Sequence, residues 1–231
     1  MSEKNRIRTT LLALFAIGVL PASSFARKNN PPAGRTGSPA SGGADCAVCH
    51  DGPAGVGFVH IGGAPSIYRP SEVYDLTVRV EDAAQVGAGF QISAETSAGV
   101  HSGTFVITDS LNTQSNGNYV NHTGAGVDDS FTDWVTLGNA AEYQVQWQAP
   151  ATNVGAITFW ACGNAVNGNS APDEDTVYLT NTTAQFGPAI PTVSAWGLIT
   201  LVTLVLAAGT IRLRNRSVPT TAGSPYAGIP V

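Results

Sequence analysis

The sequence predicts an all-β protein: an antiparallel immunoglobulin-like β-sandwich, with an N-terminal signal helix and a C-terminal transmembrane helix. Three observations predict it. The middle of the chain is a series of short β-prone runs divided by turn clusters. The 26 glycines of the full chain, with abundant Asn, Ser and Thr, suit a turn-rich extracellular β protein. Two hydrophobic segments near the ends, each flanked by basic residues, bracket that middle part. The span 27–189 holds 163 of the 231 residues, enough for one domain with a real core and too few for two large ones.

At the N-terminus, Lys4, Arg6 and Arg8 precede the apolar run 11–20. Pro21-Ala22-Ser23-Ser24-Phe25-Ala26 follows, with small residues Ser24 and Ala26 at the spacing a signal peptidase reads. Cleavage is expected after Ala26, so 1–26 is a signal peptide. Ten apolar residues are too few to span a bilayer.

Residues 27–45 are rich in Gly, Pro and Ser and predict an extended linker. Residues 46–66 carry a cysteine motif, and 67–186 carry the sandwich. Strands are expected at 73–80, 89–95, 103–108, 131–137, 142–148, 156–162 and 176–180. The first alternates, so that Leu76, Val78 and Val80 share one face. Turns are expected at 112–118 and 164–172, and no useful helical period stands out between the two terminal segments. Trp134, Trp147 and Trp160 fall in expected strands and suit a core better than a carbohydrate platform.

Residues 190–216 begin Ile190-Pro191-Thr192 and continue to Trp196-Gly197. The stretch 193–211 is uncharged and about as long as a bilayer span. Arg212, Arg214 and Arg216 close it, which places them on the cytoplasmic side and the middle of the chain outside. A tail follows at 217–231. The pattern resembles a bacterial C-terminal sorting signal of the IPTL type, with Val193 replacing Leu and Ala195 where an acidic residue is common. That resemblance implies anchoring or processing at the envelope of a Gram-negative cell, through the C-terminal helix.

Charge narrows the function. Only 12% of residues are charged, against a usual ~25%. No Lys or Arg occurs between positions 80 and 211. A domain so poor in cations cannot neutralise many phosphates, which argues against nucleic-acid binding and nucleotide chemistry. Between 27 and 189 there are fifteen acids and five bases, so a macromolecular partner is expected to be basic or metal-bridged.

The chemistry is concentrated in Cys46-Ala47-Val48-Cys49-His50. This is the attachment pattern for c-type haem: two thiols spaced for the vinyl groups, and an adjacent imidazole for iron. Haem c is therefore the expected cofactor, with Cys46 and Cys49 as attachment residues and His50 as proximal ligand. The alternative is a Cys46–Cys49 disulfide without a cofactor. A zinc site is weaker, because no second Cys/His pair follows at finger spacing. Cys162, in Phe159-Trp160-Ala161-Cys162, is most simply a buried free thiol. For a sixth ligand, Met1 leaves with the signal peptide. The candidates are His122 at a turn and His60 across a Gly-containing loop, both ranked above His101, with an open, five-coordinate site as the other possibility. Asp128, Asp129 and Asp133, and the run Asp173-Glu174-Asp175, are weaker candidates for calcium. No nucleophile elbow or carboxylate pair marks a hydrolase, and no catalytic residue is assigned.

The middle region also resembles the bacterial choice-of-anchor V family, whose domain is related to the reelin-like (Reeler) β-sandwich. The resemblance rests on Gly34-Arg35-Thr36-Gly37-Ser38-Pro39, the cysteine motif, Tyr68-Arg69-Pro70 with Tyr74 and Leu76, and Gly89-Phe90-Gln91-Ile92. Further on it rests on Gly103-Thr104-Phe105, Asn121-His122-Thr123, Trp147-Gln148-Ala149-Pro150 and Gly163-Asn164-Ala165. Cys162 departs from the family's small residue, and Asp173-Glu174-Asp175 from a Gly-Asp turn. The resemblance implies the fold and an envelope location. Two functions are then expected in competition. One is a haem-bearing electron-transfer or sensing protein with an unidentified redox partner. The other is a non-enzymatic adhesive or structural surface module.

Overall fold

The computed structural model describes residues 27–187 and a helix at Ala195–Arg214. The expected signal peptide at 1–26, the Ile190-Pro191-Thr192 motif and the tail 217–231 lie outside the described residues. Of the described residues, 27–187 belong to one compact unit and the helix at Ala195–Arg214 to a second.

The first unit opens with an irregular arm and a single 3-10 turn, Cys46–Val48. Ten strands follow: β1 Phe58–Gly62, β2 Ile67–Tyr68, β3 Val73–Glu81, β4 Gly87–Thr96, β5 Thr104–Val106, β6 Thr113–Asn116, β7 Tyr119–His122, β8 Ala140–Gln148, β9 Ile157–Val166 and β10 Thr176–Phe186. One helix, α1 Gly124–Thr136, separates β7 from β8. The strands form two sheets, in the order β1-β3-β8-β5 and β2-β10-β9-β4-β7-β6. All pairings are antiparallel except that of β10 with the two-residue β2. The chain is thus all-β with two sheets, as the alternating runs predict.

The sheets meet over one apolar core. Leu76, Val78 and Val80 of β3 are all buried, as their shared face predicts. They meet Phe90, Ile92, Phe159 and Ala161 of the other sheet, together with Trp147 and Tyr143 of β8. Gly163 marks a close approach between the layers. A Cβ there would lie 2.7 Å from Val80 Cγ2 and 3.1 Å from Val59 Cβ.

Strand β4 is buried on both faces. Its apolar side chains face the core, whereas Gln91, Ser93 and Glu95 face outward beneath residues 32–40. Each is hydrogen-bonded there. Arg35 N donates to Gln91 Oε1 at 2.6 Å, and Gln91 Nε2 donates to Pro32 O at 2.9 Å. Thr36 Oγ1 lies 3.2 Å from Ser93 Oγ, and Ala40 N donates to Glu95 Oε2 at 3.0 Å. The stretch expected as an extended linker forms no helix or strand over 27–45. Even so, its polar backbone covers a polar sheet face, and Thr36 and Ser38 are buried.

The expectation of a strand at 131–137 is corrected: those residues belong to α1 or its C-cap. Thr123 is the N-cap, its side chain accepting from Gly126 N at 2.9 Å. Val127, Ser130 and Trp134 then recur on the buried face at helical spacing. Trp134 is therefore core, but on a helix, and Trp160 is only partly buried on β9. β1, β2, β6 and β7 were not anticipated. β6 lies inside the expected turn at 112–118.

In the second unit, α2 spans Ala195–Arg214. Among the described residues no helix is long and apolar enough to cross a membrane. The expected transmembrane helix is corrected to that extent. The apolar run is interrupted by Thr200, Thr203 and Thr210, whose hydroxyls donate to carbonyls of the same helix, and it is closed by Arg212.

Candidate functional site

The 3-10 turn at Cys46 is set by Asp45, whose carboxylate accepts from Ala47 N at 2.8 Å. The turn rests on β9. Cys162 stands opposite Gln91 of β4 in the sheet register, and Asn164 opposite Gly89. Cys46 and Cys162 form a disulfide, with a Cα–Cα separation of 6.4 Å across 116 residues. Cys49 is free and partly buried. Two expectations are corrected here. Cys162 is buried but not free, and Cys46 is paired with Cys162 instead of Cys49. The reason is tertiary: the arm carries Cys46 over the outer face of β9, where Cys162 projects.

Beside the disulfide lies a cavity of about 250 Å³. Cys46, Cys49 and His50 stand on its wall, as does His122 from the end of β7. Phe90, Val127 and Phe131 supply apolar lining, and Arg27, Lys28 and Arg35 supply cations. The structure therefore brings His122 to the cysteine motif and leaves the other two histidines elsewhere. His60 lies on β1, exposed and opposite Arg79. His101 bridges to Glu95 and packs edge-on against Tyr119, with centroids 4.8 Å apart.

His50 is oriented by Asp175, whose Oδ2 lies 2.8 Å from His50 Nδ1. Asp175 is almost fully buried, and its Oδ1 accepts from Asn167 N at 3.1 Å. Asn164 Nδ2 lies 3.1 Å from His50 Nδ1. His122 Nδ1 sits 2.9 Å from Phe90 N and 3.2 Å from Phe90 O. Burial lowers the His122 pKa to about 4, partly opposed by backbone hydrogen bonds to Phe90 and Arg27 and assisted by nearby His50. The imidazole is neutral at pH 7. Gly89 makes room for it, because a Cβ there would lie 2.5 Å from His122 Cε1.

The haem expectation can be tested against this geometry. A carboxylate on His50 Nδ1 is the outer-shell partner that a ligating imidazole usually has. Two thioether bonds, however, need both thiols, and Cys46 shares its sulfur with Cys162. In the disulfide form the residues do not fit a doubly attached haem.

The acidic clusters have protein partners. Asp128 pairs with Lys28, Asp173 Oδ1 accepts from Asn169 Nδ2 at 2.9 Å, and Asp175 holds His50. Among the described residues no group of three or more His, Cys, Asp or Glu could hold a metal ion. Sequence reasoning missed Cys162 as a partner, Asn164 and Asp175 at the histidine, and Arg35 at the cavity. An odd cysteine in an exported chain was the one available signal.

No protein-family model matches the chain, and no curated protein matches it. Solved structures do. The reeler domain of human F-spondin matches with a TM-score of 0.40 and 19% identity, over 60% of this chain and 94% of that one. The reelin-N domain of F-spondin matches with a TM-score of 0.41 and 18% identity, over 62% and 95%. AvmM, which catalyzes macrocyclization in alchivemycin A biosynthesis, matches with a TM-score of 0.36 and 9% identity, over 59% and 92%.

Proposed function

We propose that the chain is a non-enzymatic module of the cell envelope: exported, oxidised and displayed as a disulfide-closed sandwich with an acidic surface. The observation that carries this reading is the Cys46–Cys162 disulfide, a bond that persists in oxidising compartments. It ties the arm to a central strand. Export through 1–26 and sorting through 190–216 are parts of the proposal, as is a basic macromolecular partner. Non-reducing peptide mapping tests it. A cross-linked peptide pair containing Cys46 and Cys162, with one free thiol per chain, is expected. A Cys46–Cys49 link, or three free thiols in protein taken from the envelope, would overturn it.

A second reading keeps haem c, because Cys49, His50 and His122 share one cavity. It requires Cys46 to be reduced. In it, His50 would hold the iron, Asp175 would orient that imidazole, and His122 would stand on the cavity wall. The bound haem would supply one-electron chemistry, for electron transfer or sensing. Protein matured in a host with haem-attachment machinery would then show a Soret band that survives acid-acetone extraction. Cys46→Ala with Cys49→Ala would abolish that band, and a colourless wild-type protein would sink the reading.

A further inference from the structure

We infer that the cavity beside the cysteine turn is a binding site for a small amphipathic carboxylic acid: an apolar ring or short chain, one carboxylate and one hydrogen-bond donor. The inference rests on the cavity and its unpaired polar atoms, and goes beyond the surface-module reading.

Two residues that line the cavity each carry a buried side-chain atom with no hydrogen-bond partner among the described residues: Arg35 Nε and Asn164 Oδ1. Buried polar groups are nearly always paired, so each such atom calls for a partner. The two are chemically complementary to one kind of guest. Arg35 Nη1 donates to Gly34 O at 2.8 Å, which leaves the Nε edge of the guanidinium free. That edge suits a carboxylate, which accepts charge-assisted hydrogen bonds from a guanidinium. Asn164 is 5% exposed, and its Nδ2 lies against His50 and Asp175. Its Oδ1 therefore asks for a donor, such as a hydroxyl or amide N–H.

Charge supports an anion. The span 27–189 contains five cations, and three of them, Arg27, Lys28 and Arg35, line this one cavity. In a domain with fifteen acids, that concentrates cations at one cavity, where Arg27 and Arg35 face a single lining carboxylate, Asp175. Lys28 is paired with Asp128, so the charge rests on Arg27 and Arg35, and both oxygens of Asp175 already accept from protein, from Asn167 N and Asn164 Nδ2. Phe90, Val127 and Phe131 give the apolar body a surface to cover. The volume, about 250 Å³, exceeds a cavity of ~150 Å³ that holds benzene, so one substituted ring fits.

The test uses the oxidised protein, residues 27–187 included, with 4-hydroxybenzoate, benzoate and phenol as probes. Titration is followed by backbone amide shifts. 4-Hydroxybenzoate is expected to bind saturably and to move the amides of Phe90, Val127 and Phe131. Benzoate, lacking the donor, and phenol, lacking the charge, should each bind at least fivefold more weakly. Arg35→Gln should weaken 4-hydroxybenzoate tenfold or more and leave phenol unchanged, with Arg35→Lys intermediate. If these variants fail to fold, the three-probe order on the native chain still decides. Equal binding of all three probes, or no saturable shift at millimolar concentration, would overturn the inference. So would a covalent haem in the purified protein, since it would take the same space. Disulfide mapping is independent of all these outcomes, so the surface-module reading can stand or fall separately.

Discussion

His122 and Gly89 are one steric unit. Gly89 has no special backbone angle to explain it; what requires it is the imidazole lying where a Cβ would be. Gly89→Ala must push either the ring or the strand, and an overpacking cost of about 1–3 kcal/mol is expected. Urea denaturation of the variant measures it. The same burial makes stability depend on pH. The folded-state pKa of His122 is near 4, below the ordinary 6.5, so on acidification the unfolded chain takes up the proton first. Stability attributable to His122 is intact above pH ~6.5 and is lost as pH falls toward ~4, by up to about 3 kcal/mol. Urea midpoints of wild type and His122→Gln, compared from pH 7 to pH 4, should diverge in that window. Parallel curves would contradict the assignment.

Helix α1 shows why an element can be legible and still be missed. Phe131-Thr132-Asp133-Trp134-Val135 alternates well enough to read as a strand. The competing signals were an N-cap at Thr123 and a helical recurrence at Val127, Ser130 and Trp134. Thr123→Ala removes the acceptor for Gly126 N and the bond to Leu111 O. A loss of about 1 kcal/mol is expected, measurable by thermal melting. The strands at 73–80, 89–95, 142–148, 156–162 and 176–180 were legible because one face of each carries an apolar alternation or a continuous apolar run. β6 and β7 were not, because Thr113-Gln114-Ser115-Asn116 has turn composition and finds its partner only in β7.

At the scale of the molecule, the disulfide closes 116 residues and fastens the arm to the sandwich. Cys162→Ser should cost about 2–4 kcal/mol. It should also loosen 27–45, so that trypsin cuts at Arg35 faster than in the oxidised wild type. Reductant should bring the wild-type rate up to the variant's. Unchanged cleavage would mean that the hydrogen bonds to Gln91, Ser93 and Glu95 hold the arm without the bond.

By itself, the sequence determined the all-β class, several core strands, the acidic balance and the presence of the Cys-x-x-Cys-His motif. All of these rest on composition or on neighbours within a few residues. Only the tertiary structure decided that the arm is a cover and not a spacer, and that Cys46 answers to Cys162. It alone placed His122, Asn164, Asp175 and Arg35 around one cavity, and left His60 on the outside of β1. Those relations depend on strand register and on which face of β4 and β9 the arm covers. Local pattern carries no information about either.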